Sequence, residues 1–185
     1  MRGEDGANLE QYIKFVYTTT CRDNLCFTGA KMIEYRKATV SEIDTLAKIR
    51  VDFLREANNI ANDEDEEVLF QSNREYMAVS IDEGSFVAWV AVDGDRIIAT
   101  SGVSFFTLPP NKSCPTGKTA YISNMYTYPP YRNQGIATRL FDLTVKEARS
   151  NGSFKILLNA TPMGKSIYEK YGFKETENEM IYHVL

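Results

Sequence analysis

Hydrophobic and polar positions along this chain change period several times, and the changes mark its elements. Residues 33–38 read as a strand, with Tyr35 set between charged neighbours. Ser41 then precedes an apolar stripe, with Asp44 three residues on, a capping-box pattern that predicts a helix start. Ile43, Leu46, Ala47, Phe53, Leu54 and Ala57 follow at helical spacing. Residues 58–62 interrupt it. The acidic run 63–67 suits a second helix start, where the helix dipole favours negative charge. Val68, Leu69, Tyr76 and Val79 carry that helix to about Gly84. The pattern then turns to strands. Residues 86–92 and 97–106 are apolar and aromatic, and Asp93-Gly94 between them is a hairpin signal. Residues 108–117 hold three prolines and one glycine, which predicts a loop. Residues 119–128 predict a third strand, stopped by Pro129-Pro130.

Helical spacing returns over residues 136–150 and stops at Asn151-Gly152. Residues 154–158 predict a strand buried on both faces. Thr161 and Pro162 suit the N-cap and first turn of a short helix that ends at Gly172. Residues 174–185 read as a closing strand. The order β-α-α-β-β-β-α-β-α-β is mixed α+β, with one strand–helix–strand crossover in its C-terminal half. The chain shows no internal repeat and no low-complexity tract.

The first 31 residues lack this patterning. Glu4 and Asp5 stand where a secretory signal needs positive charge, and the apolar stretch 13–17 is too short for one. Residues 1–31 are expected to be a poorly ordered or non-native extension, with Met32 as the native start and 32–185 as one domain. A chain of 185 residues fits one domain with little to spare. The formal charge of −4 argues against a nucleic-acid partner, and no apolar run is long enough for a membrane helix. Cys21, Cys26 and Cys114 form no paired framework, which points to a reducing, cytoplasmic location. The single histidine, His183, argues against a His-based metal site and against Ser–His or Cys–His catalysis.

Chemistry concentrates in Tyr128-Pro-Pro-Tyr-Arg-Asn-Gln-Gly-Ile-Ala-Thr138, between a predicted strand and a predicted helix. The first N–H groups of a helix lack intrahelical partners and carry partial positive charge, so such an end accepts phosphate. Gly135 leaves the backbone approachable, Ala137 keeps the next position small, and Arg132 adds fixed positive charge. A tight turn with an incidental arginine explains the same residues. The Walker ending and the three-glycine dinucleotide fingerprint are both absent.

Arg132-x-x-Gly135-x-Ala137 resembles the acetyl-CoA signature of the GNAT superfamily of N-acetyltransferases. Residues 121–127 resemble the strand before that signature. Ile167-Tyr-Glu-Lys-Tyr-Gly-Phe173, about thirty residues on, resembles the family's closing helix. The resemblance spans residues 32–185. It implies the GNAT acyl-CoA N-acyltransferase fold, a mixed and mostly antiparallel sheet flanked by helices. It also implies transfer of acetyl from acetyl-CoA, as cosubstrate and without a metal, to a primary amine of a small molecule or peptide. Two neighbouring strands, 119–128 and 154–159, would splay around the pantetheine arm. Backbone groups of Met125, Tyr126 and Thr127 would bond the arm, and one N–H would polarise the thioester carbonyl. The amides of Gln134, Gly135, Ile136, Ala137 and Thr138 would hold the diphosphate, Arg132 and Asn133 would also bind the cofactor, and Asn159 would bond a pantetheine carbonyl or amide. Lys165 and Ser166 stand nearby. Tyr168 matches the family's general acid, which protonates the departing thiolate; a packing tyrosine is the alternative. The base stays open between Asp52 and Glu56, with Ser123 and Tyr121 as groups that could order a water. The acidic run 63–67 would attract a cationic amine or simply stabilise a helix start. A homodimer is compatible with the family. A non-catalytic acyl-CoA-binding regulatory module and a longer-chain acyltransferase are the rival readings.

Overall fold

The computed structural model describes residues 21–22, 25–28, 31–57, 60, 62–176, 180–182 and 184. Among these residues, seven strands form one sheet in chain order: β1 (Cys21–Arg22), β2 (Leu25–Thr28), β3 (Lys31–Lys37), β4 (Phe86–Asp93), β5 (Arg96–Thr107), β6 (Lys118–Thr127) and β7 (Lys155–Leu158). Every neighbouring pair is antiparallel except β6 and β7, which run parallel. Parallel neighbours need a crossover, and the helix α3 (Ile136–Ser150) supplies it. Helices α1 (Ile43–Glu56) and α2 (Asp63–Asp82) cover one face of the sheet, and α3 with the short α4 (Lys165–Lys170) covers the other. This is the expected α+β arrangement. Burial from both sides explains why β5 is continuously buried from Ile97 to Val103 rather than alternating.

Three apolar clusters hold the layers together. Leu46 and Ile49 of α1 and Met77 of α2 pack on Phe86, Ala88, Val90 and Tyr126. Ile136, Leu140 and Leu143 of α3 pack on Tyr35, Ala91 and Ile98. Phe141, Val145 and Ala148 pack with Tyr168 on Val103, Ala120 and Ile122. One buried polar link crosses the α3 interface, Thr144 Oγ1 donating to Ser101 Oγ at 2.7 Å.

Several local expectations need correction. The capping box is Thr39 with Glu42, not Ser41 with Asp44. The Thr39 N–H donates to Glu42 Oε2 at 2.8 Å, and Arg36 grips the same carboxylate at 2.6 and 2.8 Å. Ser41 lies inside the 3₁₀ turn Val40–Glu42 and bonds Thr39 Oγ1 instead. Helix α2 starts where the acidic run predicts, capped by Asn62 Oδ1 accepting from the Asp65 N–H at 2.9 Å. Its inward face is different, however. Val68 and Val79 are 60% and 57% exposed, while Met77 and Ser80 are buried. The helix lies at the rim of the sheet and buries only an edge.

Thr161 caps the turn before α4 rather than the helix itself, which starts from Gly164. Thr161 O accepts from the N–H groups of Gly164 and Lys165, each at 3.0 Å. Strand β7 is half-buried, and Phe154 beside it is exposed, because β7 pairs only with β6 among the described residues. No described residue of 174–184 lies in a strand. Phe173 turns back onto Phe141, and Met180, Ile181, Tyr182 and Val184 are exposed. His183 lies outside the described residues. Before Met32, β1 and β2 extend the sheet from the edge of β3. No helix among the described residues is long and apolar enough to cross a membrane.

Candidate active site

The site begins where β6 leaves β7. The two strands pair from Thr119↔Lys155 to Ile122↔Leu158 and no further. One residue later β6 is irregular against β5. Its register passes from Gly102↔Ser123 to Thr100↔Tyr126, so Asn124 and Met125 stand opposite Ser101 alone. Asn124 takes a left-handed φ of 54°, a conformation asparagine tolerates better than most residues. Beyond this bulge, β6 has a partner on its β5 edge and, among the described residues, none on the other. All four residues of β7 are paired, so β6 runs on past the end of β7 and its edge there is left open.

A cavity of about 790 Å³ opens beside that free edge. Met125, Tyr126 and Thr127 form one side, and Phe53, Glu56 and Ala57 from the end of α1 form another. Tyr131, Arg132, Asn133 and the start of α3 from Gly135 to Thr138 close the third. The turn Thr161–Gly164 and Ser166, Ile167 and Tyr168 of α4 complete the wall. Ten of the twelve expected site residues meet here. The exceptions are Gln134, whose side chain bonds Pro130 O at 3.2 Å, and Asn159, which is exposed at the end of β7. Phe53, Ala57 and the 161–164 turn were not legible as site residues, because nothing local marks a helix end or a turn as a wall.

The signature turn owes its shape to backbone rather than to side chains. Gly135 is the N-cap of α3 at φ 77°, which a residue with a Cβ adopts only under strain. The space a Cβ there would occupy is open within 4 Å. The Arg139 N–H bonds Gly135 O at 3.0 Å, so the amides of Ile136, Ala137 and Thr138 precede the first intrahelical bonds. They are donors at a positive helix end beside an open cavity.

Arg132 is engaged differently from expectation. Its Nε donates to Thr127 O at 2.8 Å, its Nη2 to Glu56 Oε2 at 2.7 Å, and it lies over the Tyr126 ring at 5.6 Å. Tyr126 Oη donates to the same Glu56 oxygen at 3.1 Å. The guanidinium holds the Glu56 carboxyl below the usual range. Asp52, one turn earlier, accepts from Tyr128 Oη at 2.7 Å. Both carboxylates weighed as bases are thus bonded to tyrosines of the β6 end.

Tyr168 is 7% exposed and packs on Phe141 with ring centroids 5.0 Å apart. Its Oη has no hydrogen-bond partner among the described residues, and burial pushes its pKa up. Gly164 makes room for it. A Cβ there would lie 2.8 Å from the Tyr168 Oη. Lys165 points away, paired with Glu175 at 2.5 Å. In the acidic run, Glu66 pairs with Arg55 and Glu67 accepts from Gln71 at 2.9 Å. No cluster of three or more potential metal ligands occurs among the described residues.

Comparison with known proteins agrees with this geometry. An acetyltransferase (GNAT) domain model matches residues 56–183. A predicted acetyltransferase from Clostridium acetobutylicum, crystallised with acetyl-CoA, is 34% identical with a TM-score of 0.75. The match covers 82% of this chain and 96% of that one. A GCN5-related N-acetyltransferase from Ralstonia eutropha JMP134 is 26% identical with a TM-score of 0.74, over 82% and 98% of the two chains. A glucosamine-6-phosphate N-acetyltransferase from Arabidopsis thaliana, 19% identical over 82% and 97% with a TM-score of 0.56, shares the fold. A search of curated proteins found no match. A strand β6 that outruns β7, a helix with glycine at its N-cap beside that open edge and a domain match over most of the chain agree, and this chain belongs to the GNAT acetyltransferase family.

Proposed function

We propose that the chain transfers the acetyl group of acetyl-CoA directly to a primary amine of a small molecule or a peptide. The observation that carries this reading is one cavity bringing together a free strand edge, a helix N-terminus with no side-chain cap and a largely buried tyrosine. An extended amide-bearing arm fits along an unpaired strand edge, as an added strand would. The amides of Gly135–Thr138 suit a diphosphate. The volume of about 790 Å³ suits a large ligand.

Acetyl-CoA supplies the acetyl group as an activated thioester. The residues around it orient and protonate. An N–H on the free edge of Met125–Thr127 hydrogen-bonds the carbonyl oxygen as negative charge develops there. The neutral amine nitrogen attacks the carbonyl carbon, the carbon–sulfur bond breaks, and the proton the nitrogen sheds passes to solvent. Tyr168 Oη gives its proton to the departing sulfur and regains one from the solvent. An ordinary phenol is protonated at neutral pH, as an acid requires, and burial pushes this one further the same way. Glu56 makes a poor base, since the arginine beside it lowers its proton affinity.

The test is release of free CoA thiol from acetyl-CoA across a panel of polyamines, aminoglycosides, amino acids and short peptides. An amine-dependent signal is expected. Acetyl-CoA binding with no transfer to any amine would instead identify a binding module of the same fold.

A further inference from the structure

The end of α1 and the end of β6 are tied by one carboxylate oxygen. Glu56 Oε2 accepts from Arg132 Nη2 at 2.7 Å and from Tyr126 Oη at 3.1 Å. The same arginine reaches back through Nε to Thr127 O at 2.8 Å and lies over the Tyr126 ring. Glu56, Tyr126, Thr127 and Arg132 all line the cavity. Two of the five N–H donors of Arg132 are therefore directed to the protein, one to the end of α1 and one to the end of β6.

We infer that Glu56 is a positioning residue: through Arg132 it fixes the free edge of β6 relative to the turn that starts α3. The inference rests on the proposed acetyl-CoA reading of this cavity. Without the carboxylate, the guanidinium keeps only Thr127 O and the tyrosine ring. Two bonds from one planar fork define a direction, whereas one leaves it free to swing. The strand edge and the helix N-terminus would hold two different parts of one ligand. Their relative placement therefore sets ligand affinity. The side chains of Glu56 and Arg132 are 38% and 25% exposed, so the pair is a rim contact that adds little to global stability. Its effect belongs to geometry. A role as general base predicts something else, namely a lower kcat and an altered pH profile with unchanged cofactor binding.

The experiment is calorimetric titration of acetyl-CoA into the wild type, Glu56→Gln, Glu56→Asp, Arg132→Lys and the double variant Glu56→Gln/Arg132→Lys. Thermal melts and the pH profile of kcat accompany it. Glu56→Gln is expected to raise Kd and the acetyl-CoA KM on the order of tenfold, with the melting temperature and the shape of the profile unchanged. Arg132→Lys keeps the charge but loses the fork, and should match it. The double variant should be no weaker than either single one, and Glu56→Asp should recover part of the affinity. Wild-type affinity in Glu56→Gln overturns the inference while leaving the acetyl-CoA reading intact. So does a lowered kcat with a changed pH profile and unchanged Kd. A wild type that fails to bind acetyl-CoA removes both.

Discussion

Ala120 and Ile122, in the first half of β6, are paired on both edges and pack against Phe141 and Val145 of α3. Tyr126, only four residues past Ile122, has β5 on one edge and the cavity on the other. Its hydroxyl goes to a carboxylate on α1, as does that of Tyr128. One strand is thus dry core at one end and polar site wall at the other. The difference comes from the end of β7 pairing and the bulge at Asn124, not from a change in composition. A site can be made by stopping a ladder early.

The contrast is broken most strongly at the acid. Tyr168→Phe should lower kcat at least tenfold, roughly 1.4 kcal/mol or more in barrier, while acetyl-CoA affinity stays within about twofold. Steady-state kinetics with calorimetry decides it, and wild-type turnover removes Tyr168 from the mechanism.

The bulge is the next lever. Asn124→Val puts a β-branched residue at φ 54°. It should cost about 1–2 kcal/mol, or roughly 4 °C in melting temperature. Asn124→Gly should stay within about 0.5 kcal/mol. Equal melting of the two variants would show that the bulge relaxes without the left-handed residue.

The smallest effect lies far from the cavity and calibrates the others. Arg36 and Thr39 hold Glu42 at about 2, below its usual 4.5. A lowered carboxylate pKa adds stability that is complete above the unfolded value and fades as pH falls toward the folded one. Urea melts should show about 0.2–1 kcal/mol lost from this group between about pH 5 and about pH 2. Glu42→Gln should remove that increment without touching kcat. An identical pH slope in the variant would assign the loss to other carboxylates.

Helix α3 was legible to the residue, because a clean apolar stripe ran between a glycine and an Asn-Gly stop. The hairpin at Asp93 was equally plain. Elsewhere tertiary context overrode local signals. Ser41 and Thr39 are both good caps, and Arg36 on the preceding strand decides between them by gripping Glu42. The apolar residues at 180–184 have strand composition, but no described neighbour pairs with them. The signature turn was readable as chemistry from Gly135 and Ala137. The bonds of Arg132 to Thr127 O and Glu56 were not readable, because a sequence shows a positive charge without showing what the fold sets beside it. Asn124 carried a faint signal, since asparagine interrupts an otherwise strand-forming run.

Strand side chains alternate between faces, so a single extra residue acts on β6 as a frameshift acts on a reading frame. Before Asn124 the even-numbered residues Ala120 and Ile122 face α3; after it, the even-numbered Tyr126 faces α1. Delete one residue at the bulge and the parity reverts. Tyr126 and Tyr128 would then turn toward α3, away from Glu56 and Asp52, and both tyrosine–carboxylate contacts would go at once.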